Sequence, residues 1–221
     1  MSYTDRFNII RTEVPSNVKI VAVSKTKPAS SVEELYRNTG HKMFGENKAQ
    51  ELNAKHGVLP MDIEWHFIGH LQTNKIKYIA PYVALIQSVD SFKLLAELNK
   101  EAIKCNRVIP CLLQFHIASE EAKFGFSFDE VRQMLEDKLY QQLLNVSITG
   151  VMGMATFTDN TRQISSEFKT LFTYFADIKS NYFPLKHDFR EVSMGMTDDY
   201  KIAIAEGSTI IRVGSGIFGG R

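Results

Sequence analysis

The sequence predicts an α/β fold: a single (β/α)8 barrel of the TIM type, introduced by a short N-terminal helix. Three observations carry this. Eight short apolar segments lie between Lys19 and Val213, and each but the last is followed by a segment with helical spacing. Strict alternation of this kind requires parallel strands joined by crossover helices. Eight repeats of the unit favour a closed barrel over an open doubly wound sheet, which usually has fewer strands. No Pro/Gly/Ser linker or charge run divides the 221 residues, so the expectation is one domain spanning 1–221.

Tyr3 to Thr12 carries Tyr3, Phe7 and Ile10 on one side and reads as a short amphipathic helix. Lys19 to Ser24 has three branched apolar residues and the composition of a strand buried on both faces; Pro28, lacking an N–H, stops the ladder. Ser30 or Ser31 caps a helix containing Val32, Leu35 and Tyr36, and Gly40 ends it. Lys42–Gly45 is the second strand, and Glu46-Asn47 opens a helix through Leu52. Glu64–Gly69 is the third, and Thr73-Asn74 caps a short helix ending near Pro81. Val83–Val89 is the fourth, followed by a helix from Phe92 to Ile103 capped by Asp90-Ser91, with Leu94, Leu95, Leu98 and Ala102 at helical spacing. Val108–Ile117 is the fifth, and Ser127 caps a helix with Val131, Met134 and Leu135. Val146–Met154 is the sixth, before a long helix from about Asn160 to Ser180. Phe189–Met194, a short helix from Asp198 to Ala205, and Thr209–Val213 complete the set.

Composition excludes several function classes. A formal net charge of +1 offers no basic field for nucleic acid or an anionic membrane. No apolar run approaches the ~18 residues of a membrane span. Met1 to Val14 carries Asp5, Arg6, Arg11 and Glu13 and does not resemble a signal peptide. Cys105 and Cys111 form neither a metal-ligand pattern nor a disulfide framework, as expected of reduced thiols in a cytoplasmic protein.

In such a barrel the working face lies where the strands end. The candidates there are Lys25, Asn47, His66, His70, Asn74, His116, Ser193, Arg212, Gly214 and Ser215. Lys25 leaves a buried strand with Lys27 close by. Desolvation and a like charge both favour the neutral amine, the form that condenses with an aldehyde; the alternative is a lysine that merely marks the strand end. Alternation along Ile210–Gly214 turns Arg212 into the barrel, where it requires a partner: a carboxylate such as Glu191, or a ligand. Gly214-Ser215-Gly216-Ile217-Phe218-Gly219 matches G-x-G-x-x-G by letter, but a dinucleotide site needs a following helix, strand and acidic residue. What remains is a glycine-rich backbone able to approach an anion, after the strands where barrels often bind phosphate. Ser193 at the seventh strand's end supplies a hydroxyl to the same region. His66 and His70 form H-x-x-x-H across a strand and turn, which does not present both rings on one face, and His116 reads as a hydrogen-bonded core histidine.

Ala22-Val23-Ser24-Lys25-Thr26-Lys27-Pro28, Phe44-Gly45-Glu46-Asn47, Trp65-His66-Phe67-Ile68-Gly69, Leu71-Gln72-Thr73-Asn74-Lys75, Ser193-Met194-Gly195-Met196 and Val213-Gly214-Ser215-Gly216-Ile217-Phe218-Gly219 together resemble the pyridoxal phosphate homeostasis protein family. The resemblance covers nearly the whole chain. It implies a barrel like the N-terminal domain of alanine racemase, with pyridoxal 5′-phosphate held as a Schiff base on Lys25. It carries the cofactor contacts to Asn47, Ser193, Met194, Arg212, Gly214 and Ser215. It further implies a protein that binds, buffers and delivers the cofactor, with PLP-dependent apo-enzymes as transient recipients and little or no catalysis. Only a few residues follow the eighth strand, so the second domain of the racemases is not expected, and a monomer is. A genuine amino-acid racemase, a Schiff-base aldolase on Lys25 and a protein-interaction module are the alternatives. Three departures from the family pattern are His116, the Phe124 of Lys123-Phe124-Gly125, and the short tail after Gly220.

Overall fold

Apolar strands of three to seven residues cannot bury both faces alone, and the chain solves this by closing them on themselves. In the structure, a computed structural model that describes residues 1–119 and 124–220, β1 (Lys19–Val23) pairs in parallel with both β2 (Met43–Glu46) and β8 (Ile210–Val213). Between them run β3 (Glu64–Phe67), β4 (Leu85–Val89), β5 (Ile109–Gln114), β6 (Val146–Met152) and β7 (Glu191–Ser193), each bonded to its neighbours in chain order. The sheet is a closed eight-stranded parallel barrel, as the alternation predicts.

The helices form the outer ring: α1 (Tyr3–Glu13), α2 (Ala29–Thr39), α3 (Ala49–His56), α4 (Phe92–Lys104), α5 (Phe128–Glu136), α6 (Thr161–Tyr182), α7 (Tyr200–Ala205) and α8 (Ser215–Phe218). Local chemistry sets several boundaries. Ser91 accepts the Leu94 N–H, Ser127 and Glu130 form a reciprocal capping box, and Gly40 closes α2 at φ +68. Other boundaries differ from the expectation. Helix α2 begins at Ala29 behind Pro28, so Ser30 and Ser31 lie inside it, and Pro28 takes the N-cap position without a side-chain bond. Glu46 belongs to β2, and α3 starts only at Ala49. Residues Thr73–Tyr78 form a 3₁₀ helix. One helical turn, α8, follows the last strand, and α1 packs beside it: Tyr3 meets the Phe218 ring edge-on at 5.5 Å. The leading helix thus fills the ring position that so short an α8 leaves open.

Alternation divides the side chains cleanly. Ile211 and Val213 join the large core between sheet and helices, whereas Val21, Leu85, Leu112, Met152 and Ile210 fill the barrel interior. At the amino end of the interior Lys19 pairs with Glu191 at 2.6 Å. Glu191 is therefore not the partner of Arg212. Gly45 also faces inward, where a Cβ would stand 2.8 Å from Val21 Cγ1.

Toward the carboxyl ends the interior turns polar. Gln87 and Arg212 lie two residues beyond Leu85 and Ile210. Arg212 Nη1 donates to Ser193 Oγ at 2.6 Å, Ser193 Oγ donates to Gln87 Oε1 at 2.6 Å, and Gln87 Nε2 lies 2.9 Å from His66 Nδ1. Each donor is matched to an acceptor only if His66 is neutral with its proton on Nε2. Burial enforces this, taking His66 down to about 3. His41, also buried, is held down to about 4.

Two outcomes are expected. Gly45→Ala overpacks the interior and lowers unfolding free energy by about 1–3 kcal/mol, read as a shift in denaturant midpoint. Both histidines have folded-state pKa values below the unfolded 6.5, so the unfolded chain binds the extra protons and stability falls as pH drops from 6.5 toward 4. Each contributes a slope of about 1.4 kcal/mol per pH unit. His66→Gln, which keeps an acceptor for Gln87, removes about one proton from that slope, and an unchanged slope would refute the assignment.

Candidate functional site

The turns after the strands enclose a cavity of about 720 Å³ at the carboxyl face of the barrel. Lys25, Asn47, Arg212, Gly214 and Ser215 line it. Thus five of the seven positions expected to contact a cofactor converge on one space.

Lys25 lies two residues beyond Val23, the last residue of β1, in the turn that follows, and is half-buried. No described residue accepts a hydrogen bond from its ammonium. The other lysines nearby are engaged: Lys27 Nζ donates to the Gly220 carbonyl at 3.0 Å, and Lys55 is bound behind the barrel wall. Asn47 lies where β2 turns toward α3. Its Oδ1 is buried and has no hydrogen-bond partner among the described residues.

Arg212 is 4% exposed. Besides Ser193 it donates through Nη2 to the Gly153 carbonyl at 3.0 Å. Two neutral acceptors thus occupy two of five N–H groups, leaving the rest for the cavity that Arg212 lines. Burial pulls its pKa down to about 10, with the Asp199 carboxylate opposing, and it stays cationic at neutral pH. Among the described residues no carboxylate pairs with it directly.

Ser193 and Met194 do not line the cavity. Ser193 is fully buried, and its hydroxyl is spent between Arg212 and Gln87. Met194 points into the core between sheet and helices, and its carbonyl accepts from Ser208 Oγ at 2.8 Å. In their place the loop after β7 brings Thr197 to the cavity wall, with Thr197 Oγ1 accepting the Gly216 N–H at 3.2 Å and tying the two loops together. That loop turns at Gly195, φ +94, where a Cβ would meet Ala203 Cβ at 2.5 Å. Asp199 accepts the Met196 N–H at 2.5 Å, and burial raises its carboxyl above the ordinary range.

The histidines part company. His66 is buried in the interior chain, whereas His70 sits at the rim, its Nδ1 3.0 Å from Asp90 Oδ2. His70 stacks on Phe124 at 4.3 Å, so the Phe124 departure does shape the mouth. His116 is half-buried at the end of β5, its N–H donated to Phe126. Asn74 is exposed on the 3₁₀ helix. Lys123 and Arg221 lie outside the described residues. No group of three metal-ligating side chains occurs among the described residues, and no described helix is long and apolar enough to cross a membrane.

Sequence reasoning missed Gln87, Thr197 and the pair Glu51 and Lys55. Gln87 left a trace, since a lone amide in the apolar run Val83–Val89 must find a buried partner. Lys55 left none, because on α3 it reads as an ordinary solvated charge.

A family model described as the alanine racemase N-terminal domain matches residues 2–221. The pyridoxal phosphate homeostasis protein of Aquifex aeolicus (strain VF5) is 38% identical, over 92% of this chain and 87% of its own length. Its namesake in Pseudomonas aeruginosa is 33% identical, over 94% of this chain and 86% of its own. PipY of Synechococcus elongatus PCC7942, solved with PLP bound, is 33% identical and superposes with a TM-score of 0.88 over 99% of this chain and 100% of that one. An alanine racemase from Bartonella henselae with covalently bound pyridoxal phosphate superposes with a TM-score of 0.72 at 13% identity, over 99% of this chain and 58% of that one, a likeness of fold alone. The chain belongs to the alanine racemase N-terminal domain family and, within it, to the pyridoxal phosphate homeostasis proteins.

Proposed function

We propose that this chain binds pyridoxal 5′-phosphate in the carboxyl-face cavity and serves to hold, buffer and deliver it rather than to turn over a substrate. The observation that carries the reading is the amine of Lys25, which no described residue engages, facing a space that also holds spare donors of a charged, buried Arg212. The residues present fit the group. Asn47 Oδ1 is a buried acceptor that still lacks a donor, which an apolar ligand would leave unsatisfied. Lys25 would hold the aldehyde carbon, Arg212 would donate to the ring nitrogen, and the backbone at Gly214 and Ser215 with the Ser215 hydroxyl would take the phosphate. Ser193 would act through Arg212 rather than touch the ligand, and Met194 would shape the wall behind it. When bound, the group supplies an electrophilic carbon conjugated to an electron-withdrawing ring.

The chain's own groups favour a carrier. Arg212 keeps its proton and cannot serve as the acid that would turn the ring into a strong electron sink. A racemase also needs an acid and a base beside the reacting carbon. His66 is neutral, bound to Gln87 and absent from the cavity wall, and His116 is likewise not on that wall. PLP-dependent apo-enzymes as recipients, a monomeric state and a cytoplasmic location complete the proposal; the free Cys105 and Cys111 accord with the last.

Borohydride reduction of the loaded protein followed by peptide mass spectrometry is expected to place the pyridoxyl group on Lys25, and Lys25→Ala to remove it. An adduct on Lys27 would overturn the assignment. Steady racemisation of L-alanine at ordinary enzyme rates, about 1–10³ per second, would overturn the carrier reading.

A further inference from the structure

We infer that α3 clamps the turn that presents Lys25, with Glu51 and Lys55 as positioning residues; the inference rests on the reading of Lys25 as the amine that holds the cofactor. The chain leaves β1 through a four-residue turn closed by the Lys27 N–H on the Ser24 carbonyl at 3.0 Å. Lys25 is its second residue and Thr26, at φ +66, its third. That third position ordinarily takes glycine or asparagine, because a side chain there crowds the backbone, and a β-branched residue is the poorest fit. The Thr26 side chain is exposed, so no packing of its own holds it there.

What holds it comes from outside the barrel. Glu51 Oε1 accepts the Thr26 N–H at 2.6 Å. Lys55 is 5% exposed, and its ammonium donates to the Ser24 carbonyl at 2.8 Å, to Glu46 Oε1 at 2.6 Å and to Glu51 Oε1 at 2.8 Å. Its three protons are thereby all used. Ser24 Oγ donates to the same Glu46 oxygen at 2.6 Å. Glu51 and Lys55 stand one helical turn apart on the same face of α3. The first carbonyl and the third amide of the turn are therefore fixed by two groups that move only together. Lys25 lies between those two points, and its inward direction follows from them.

Lys55 is a poor probe, because its removal strands the buried Glu46 carboxylate. Glu51 is the better one, and Thr26 supplies the control: glycine accepts a positive φ without a clamp. The full-length protein, incubated with limiting pyridoxal 5′-phosphate, reduced with borohydride and digested, gives the fraction labelled at Lys25. Glu51→Ala is expected to lower it about tenfold, the worth of one charge-assisted bond. Glu51→Gln, whose amide oxygen still accepts, stays within about twofold of the parent. Glu51→Ala combined with Thr26→Gly recovers to within about twofold. NMR of the cofactor-free proteins is expected to show positive φ at Thr26 in the parent and its loss in Glu51→Ala. Parental labelling by Glu51→Ala, or a loss that Thr26→Gly does not restore, overturns the clamp. Labelling of the parent at another lysine overturns the cofactor reading instead. In that case the NMR comparison still decides the clamp, which a positive φ at Thr26 persisting in Glu51→Ala would refute.

Discussion

A guanidinium inside a barrel loses its hydration, and the site above Arg212 depends on how that loss is met. A carboxylate would have met it and spent the charge in an ion pair. Here the loss is met by neutral acceptors, Ser193 Oγ and the Gly153 carbonyl. The Ser193 hydroxyl must then donate onward, to Gln87, and the amide of Gln87 onward again, to His66. The direction of every bond follows from the first, because arginine can only donate. The chain of donors that begins at Arg212 thus ends on the same neutral His66 that burial imposes. The cation keeps its remaining donors and its charge for the cavity.

The same separation of support from contact recurs at Lys25. The amine lines the cavity with no hydrogen-bond partner among the described residues, while the backbone on either side is bound to α3. A group meant to form and release a covalent link gains from being free itself and fixed at its base, since ordering is then not charged to each binding event. In both places the residues that face the ligand space are few, and those that hold them lie a layer behind.

The fold was legible because its evidence is periodic. Eight apolar runs separated by helical spacing have one economical closure, and the inward placement of Arg212 follows from alternation around Ile211 and Val213. Lys25, Asn47, Gly214 and Ser215 were legible because strand ends in a barrel share one face. Ser193 follows the same rule, Met194 was expected from the family resemblance alone, and both stand away from the cavity. Ser193 is drawn below it by the demands of Arg212, a three-dimensional fact with no local trace, and Met194 falls on the opposite face by alternation. Glu46 read as a helix start because acidic residues favour first turns. Its burial beside Lys55 is a contact between β2 and the far end of α3, beyond what spacing along either element can reveal.

A crystal structure of the full chain grown with pyridoxal 5′-phosphate tests the central claim most directly. Density continuous from Lys25 Nζ into the ligand is expected, with Arg212 still bonded to Ser193 and its remaining donors on the ligand. Density continuous with a different amine, or an Arg212 turned away from the ligand onto a carboxylate, would contradict it.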